Sequence, residues 1–469
     1  MFEAASLVTA PVTASTRAQA PEGDIEAIVP PQPGTLRDTG LEPPLVLALL
    51  AKTIARSGKS HLHVLGGKLR LSMSVLREAL ALMMADQLVE VARRGDSDID
   101  IEYQLTGPGQ SFAAAAFAEC RYVGPAAVTL DALREVIARD ARRHAAAGHV
   151  GDAALAAALC DGPGDDIIDA AVRAQLGAAM HSGRALLLYG PSGCGKSTLA
   201  RKLGRLLQGV VGVPYAVLID GQVVQFYDPL VHQAPSVLQT RQFDERRNDS
   251  RWMVCQRPVV HVGAELTREM LDCRLDAANG GYYAPPHFQA SGGLLIVDDL
   301  GRQRCDAGQL LSRFMGPLER GVDVLSLQGG HVETVPFTVT AVFTTSAAPH
   351  TLLDAASMRR VAYRIHVGPL GATRYLALLR RHCSLLEVPY DDAAAHLLQR
   401  LHEGSGQPML ASLPRELVSR VVDAASFAGA APRLSAAALE QAWHGLFACY
   451  PPHRTAPAGA DHVLLGEEA

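Results

Sequence analysis

Ala185-Leu186-Leu187-Leu188-Tyr189 is an apolar run of strand length, and it leads without a gap into GPSGCGKST, Gly190 to Thr198. Leu199, Leu203, Leu206 and Leu207 then recur at helical spacing. Strand, glycine loop, helix is the order that most restricts the fold, because the loop must turn its backbone N–H groups inward and glycine tolerates the conformations this needs. Inward amides and the positive end of the following helix form a cradle for phosphate. The spacing G-x-x-x-x-G-K-[ST] assigns Lys196 to the β- and γ-phosphates and the Ser197 hydroxyl to Mg²⁺. Gly190, Pro191, Ser192, Gly193, Cys194, Gly195 and Thr198 complete a loop whose expected ligand is ATP·Mg²⁺.

Further along, Gly293-Leu294-Leu295-Ile296-Val297 reads as a second buried strand and ends in Asp298-Asp299. An acidic residue at the C-terminal edge of a parallel strand can hold the Mg²⁺ water shell, which is the expected role of Asp298. Many strands end at a polar turn; the glycine loop gives this one its meaning.

A chain of 469 residues exceeds what one core serves, so two or three domains are expected. With 19% charged and 48% hydrophobic residues, most of it folds, and a net charge of -5 gives no electrostatic reason for an obligatory nucleic-acid or anionic-membrane partner. The eight cysteines are scattered without a C-x-x-C pair, which fits reduced thiols in a cytosol. His402-Glu403 begins like a zinc-protease helix, but Gly406 stands where the second histidine belongs. No apolar run approaches the roughly 18 residues of a membrane span, and the N-terminal residues do not read as a secretory signal. A cytoplasmic protein is expected.

Residues 1–40, with Pro11, Pro21, Pro30, Pro31 and Pro33 and no apolar period, read as a flexible segment, and residues 451–469 as a flexible tail. Within 41–125, Val46, Leu49, Leu50 and Ile54 predict one amphipathic helix, and Leu76, Ala79, Leu80 and Met83 a second, capped by Ser72 or Ser74. Leu88 to Val91, then Ile99, Ile101, Tyr103 and Leu105 alternating with polar residues, predict a hairpin. Helix, helix, hairpin resembles a winged helix-turn-helix domain. The second helix offers Arg77 against Glu78 and Asp86, a poor match to phosphates, so protein docking is favoured over DNA binding. Residues 126–183, Ala-rich and helical, read as a linker.

From these motifs a family resemblance follows, covering about residues 41 to 450. The order glycine loop, GGLLIVDDLGRQR, hairpin-like DVLSLQGGHVETVP with Gly329-Gly330 at its turn, AVFTTS, and LLDAASMRRVAYRIHVG is similar to the motor core of AAA+ ATPases, with an insert before the sensor-1 strand. RYVGPAAV, YDPLVH, RPVVHVGAEL and VDDLGRQR look like a bacterial group with an N-terminal winged helix, described as chaperone-like ATPases near Flp pilus assembly genes. The implied fold is α/β: a P-loop NTPase core with a parallel sheet between helices at 184–370, a helical lid at 371–450 and the winged helix in front. The implied activity is ATP hydrolysis in a ring, a hexamer, that remodels a protein client related to pili or secretion. In this resemblance Asp299 stands where relatives carry the Glu that polarises the attacking water, shorter by one methylene, about 1.5 Å. Ser346 or Thr345 takes the sensor-1 place, where many relatives have Asn. Arg359 and Arg360 match the arginine finger that enters a neighbour's site, Arg360 being favoured, and Arg415 matches sensor 2. The structural alternatives are helix-end arginines facing the dipole or solvent. Glu265 in VGAEL is a candidate switch residue, and Tyr282-Tyr283 a candidate pore-loop contact or a pair of core aromatics.

Two rival readings remain open. One is an ATP-controlled DNA-binding regulator: enhancer-binding activators share the A-x-G-G-x-L-x-x-D-[DE] texture of Ala290 to Asp299, although their GAFTGA loop is missing here. The other is a nucleotide switch that hardly hydrolyses ATP, suggested by Asp299 and Ser346.

Overall fold

The computed structural model describes residues 28–95, 101–146, 151–161, 168–235, 247–276, 280–328 and 330–448. Its centre is a five-stranded sheet made of β1 (Leu186–Tyr189), β2 (Val259–Val262), β3 (Leu294–Val297), β4 (Thr340–Thr345) and β5 (Tyr363–His366), in the order β2-β3-β4-β1-β5. Every pairing is parallel. A parallel sheet needs cover on both faces, which is why β1, β3 and β4 are buried almost throughout. Alternation divides them: Leu187, Leu295 and Phe343 pack with Leu310, Phe314 and Met315 of helix Ala307–Arg320. Leu186, Leu188, Leu294, Ile296 and Val342 face the opposite way, against Leu199, Ala200 and Leu203 of helix Lys196–Leu203 and Leu176 and Met180 of helix Ala170–Ser182. The expected parallel sheet between helices is what the chain forms.

The predicted hairpin is present, with Val322 opposite Pro336 and Ser326 opposite Val332; Gly329 of its turn lies outside the described residues. A second five-stranded sheet was not anticipated. Val128–Thr129 pairs with Ala216–Ile219, that strand with Gln222–Gln225, Gln222–Gln225 with Gly281–Tyr283, and Gly281–Tyr283 with Arg274–Asp276. Leu133 and Val136 of helix Leu130–Ala146 enter its core, so the front half of the expected linker belongs to a folded β unit. Tyr282 lies in a strand and is buried in that core, which corrects the pore-loop reading in favour of the core aromatic.

In the N-terminal module the two expected helices are Pro43–Ser57 and Met73–Ala85, the second capped by Ser72, whose Oγ accepts from the Val75 N–H. Helix Leu62–Leu69 intervenes, and strand Ser60–His61 joins the hairpin of Val89–Arg94 and Ile101–Leu105 as a third strand. Residues 96–100 of the hairpin turn lie outside the described residues. From residue 28 on, the segment expected to be flexible is packed into the fold. Ile28, Val29 and Leu36 are buried, the Gln32 N–H donates to Arg247 O, the Asp249 N–H to Pro30 O, and the Leu36 N–H to Glu78 at 2.7 Å. Residues 1–27 and the expected tail 451–469 lie outside the described residues.

Residues 28–40 thus form a strap along the fold, and Arg251 fastens it to the rest. It is buried, pairs with Asp249 at 2.8 Å and donates to Thr39 O and Ala127 O. The C-terminal unit has four helices, Ala372–Leu385, Asp392–Ser405, Leu413–Phe427 and Ala436–Phe447, around Tyr375, Leu398, Leu417 and Trp443. His402 is buried there between Gln407 O and the Tyr375 hydroxyl, a structural histidine. Among the described residues no helix is long and apolar enough to cross a membrane, and no group of three potential metal ligands occurs.

Candidate nucleotide site

The glycine loop connects β1 to helix Lys196–Leu203 at the C-terminal edge of the sheet. Gly190, Gly193 and Gly195 have φ of +141°, +81° and +89°, values that L side chains rarely adopt. At Gly190 space forbids one as well: a Cβ would lie 2.3 Å from the Val367 carbonyl oxygen, just beyond β5. Lys196 is buried and its Nζ donates to Gly190 O and Pro191 O, each at 2.8 Å, and reaches Ser346 Oγ at 3.4 Å. Burial lowers its pKa, opposed by the Asp298 and Asp299 carboxylates. Cys194 is buried in the loop, and its thiol pKa is raised by that burial.

The Ser197 hydroxyl donates to Asp298 Oδ1 at 2.7 Å. Alternation along β3 explains the meeting, since Leu294, Ile296 and Asp298 are in phase and the first two pack on the side of the P-loop helix. Thr344, in phase with Val342, donates to the same Oδ1, and His261 Nε2 lies 3.1 Å from Oδ2. Burial works to raise the Asp298 pKa, but hydrogen bonds from Thr344, Ser197 and His261 prevail and hold it below its ordinary value. A hydroxyl facing a hydrogen-bonded carboxylate beside a buried lysine and a glycine cradle is an oxygen-rich donor set that fits Mg²⁺ bound to a polyphosphate.

Asp299 has φ of +51°, a left-handed conformation that Asp tolerates better than most residues, and its N–H donates to Thr344 Oγ1 at 3.0 Å. Gln303 supports the turn, donating to Asp298 O at 2.8 Å and accepting from the Gly301 N–H. Of the two candidates at the end of β4, Thr345 is fully buried with its hydroxyl on Leu300 O, whereas exposed Ser346, just beyond the strand, approaches Lys196. Thr344, His261 and Gln303 were missed by sequence reasoning; the period of two in β4 and β2 was the available signal for the first two.

The remaining candidates lie around this centre. Arg359 and Arg360 end helix Ala355–Arg360, both exposed; Arg360 pairs with Glu319 at 2.8 Å and Arg359 donates to Ala355 O. Arg415 is exposed in the first turn of helix Leu413–Phe427. The segment before that helix rests on the loop: the Ser412 N–H donates to Gly193 O at 2.9 Å, and Ala411 lies beside Gly195. Glu265 is exposed and accepts from the Gly263 N–H.

Comparison with known proteins adds the following. A family model described as a domain of unknown function, DUF8689, matches residues 372–445, the C-terminal helical unit. No curated protein matches the sequence. Among solved structures, the chain is similar to NtrX from Brucella abortus in complex with ATP, at 14% identity and a TM-score of 0.39, over 68% of this chain and 66% of that one. It is also similar to the Thermotoga maritima RuvB Holliday junction branch migration motor, at 16% identity and a TM-score of 0.36, over 62% of this chain and 73% of that one. The chain thus spans just under two thirds of the NtrX chain.

Proposed function

We propose that this chain is a P-loop ATPase of the AAA+ kind that binds ATP·Mg²⁺ between the loop 190–198 and Asp298. The observation that carries the reading is the Ser197–Asp298 hydrogen bond, which joins the end of the loop to the end of β3 across an intervening strand. That strand is β4, and Ser346 follows it within reach of Lys196, a position suited to contacting a terminal phosphate. Asp299 is the group for orienting water, and the attack needs a positioned nucleophile more than a strong base. Calorimetry tests the reading: full-length protein with millimolar Mg²⁺ takes up ATP, and Lys196→Ala does not. Absence of uptake by the unmodified protein overturns it.

In this proposal the chain works as a ring, a hexamer, in which Arg360 or Arg359 enters a neighbour's site. Exposure of both arginines supports the assignment. The C-terminal unit acts as a lid with Arg415 as sensor 2, supported by the Ser412–Gly193 contact at the start of its helix. The N-terminal module is a winged helix that docks a protein client in chaperone-like remodelling. Support comes from helix Met73–Ala85, whose Glu78 is engaged by the chain's own strap and which exposes Leu82 and Met84, with Val91 exposed on the hairpin. Salt-dependent duplex binding by the full chain would favour a DNA-bound regulator instead. A switch with little hydrolysis is a second reading, favoured by the short Asp299; tight ATP binding with near-zero phosphate release identifies it.

A further inference from the structure

The RPVVHVGAEL stretch gives His261 no role of its own, yet the sheet delivers it to the metal side of the site. Val260 and Val262 enter the core beneath helix Ala307–Arg320, so Val259 and His261 lie on the opposite side. Contact confirms that side: a Cβ on Gly204, at the end of the P-loop helix, would come within 2.9 Å of Val259. His261 pairs in register with Ile296, two residues before Asp298.

The Asp298 carboxylate is held unevenly. Ser197 and Thr344 both donate to Oδ1, and His261 is the contact on Oδ2. Two donors on one oxygen leave the plane of the carboxylate free to swing about that oxygen; a third donor on the other fixes it. His261 is 43% exposed, so core packing does not explain its presence at this place.

We infer that His261 is a positioning residue, which holds Oδ2 of Asp298 so that Oδ1 is presented to Ser197 and to the divalent cation of a bound nucleotide. The inference rests on the proposed nucleotide site. Hydrogen-bonded partners of metal-binding carboxylates contribute about 10- to 100-fold to metal affinity.

The test titrates Mg²⁺ into full-length protein with a fluorescent ATP analogue, for the unmodified chain and for His261→Ala, His261→Phe and His261→Gln. Ala and Phe, lacking a donor, are expected to raise the Mg²⁺ midpoint by about tenfold, while Gln, whose amide reaches near the Nε2 position, stays within about threefold. Binding measured in EDTA is the same for all four. An unchanged midpoint in Ala and Phe, with normal uptake by the unmodified chain, overturns this inference alone. A loss in Gln as large as in Ala also overturns it, because the donor would then not be what matters. Absence of nucleotide uptake by the unmodified chain overturns the site reading and the inference together.

Discussion

Thr344→Val removes a hydroxyl that touches both carboxylate residues of the site. The side chain is fully buried, and valine keeps its shape while removing the oxygen. That oxygen donates to Asp298 Oδ1 and accepts the Asp299 N–H. A hydrogen bond to a charged group contributes about 1.5–3 kcal/mol, and an orphaned N–H costs about 1–3 kcal/mol. The two share an atom and do not simply add, so a total near 3 kcal/mol is expected. For a domain the size of the nucleotide-binding core this lowers the melting temperature by roughly 6–12 °C. Under the proposed ATPase reading turnover suffers separately, because Asp298 loses a donor and Asp299 loses the anchor of its left-handed turn; a loss of about 100-fold corresponds to about 2.7 kcal/mol in the barrier. Thermal melts and phosphate release at saturating ATP and Mg²⁺ measure the two effects, and Thr344→Ser, which restores the hydroxyl, should recover most of the turnover. A valine variant that melts within about 1 °C of the unmodified protein and turns over normally would refute the argument.

Arg360→Ala should keep nucleotide binding and lose turnover, and mixing it with Lys196→Ala should restore part of the activity if the arginine acts in trans; the same mixing series with Arg359→Ala decides between the two. Asp161 joins Lys202 and Arg205, at and beyond the end of the P-loop helix, to Arg381 of helix Ala372–Leu385. Burial acts to raise its pKa, but the three cations outweigh it, so the tie is complete above the ordinary aspartate range and is lost only in strong acid, as pH falls through the depressed value. Hydrogen-exchange protection in helix Ala372–Leu385 should therefore hold between pH 8 and pH 5, about the range where carboxylates stay ionised. Asp161→Asn should lower it throughout; an unchanged exchange map would count against the tie.

What could be read from the sequence was what repeats locally. The glycine loop, the apolar strand before Asp298 and the hairpin at 322–336 each carry their own period or turn chemistry, and the chain folds them as expected. The second sheet was illegible because its strands are two to four residues long and pair across large separations, Val128 with Val217 and Tyr282 with Val224. Helix Leu62–Leu69 was hidden by Gly66-Gly67, which weaken any helical reading. The strap misled for a chemical reason: prolines suggest a loose chain because they lack an N–H, but here their carbonyls do the binding. Pro30 O accepts the Asp249 N–H and Pro33 O the Ser72 hydroxyl. In the site, Lys196, Ser197 and Asp298 came from motif spacing, whereas Thr344 and His261 required knowing which strands are neighbours.

The glycine loop is gripped by parts of the chain that the sequence keeps far apart. At its start the backbone of Val367 closes on Gly190, and the Val367 N–H donates to Tyr189 O. At its middle Gly193 accepts from Ser412 of the C-terminal unit. Beyond it, Lys202 donates to Leu159 O as well as pairing with Asp161, which also binds Arg381. A second pair, Arg374 with Asp169, ties the same C-terminal helix to the residue that caps helix Ala170–Ser182. Movement of the C-terminal unit relative to the loop must therefore break the Ser412–Gly193 bond, and any rotation of its first helix must strain both ion pairs. These contacts are individually weak, since exposed ion pairs contribute about 0–1 kcal/mol each. Under the proposed lid role that weakness suits a joint that opens and closes: a ligand in the loop needs only a few kcal/mol of differential affinity to shift it.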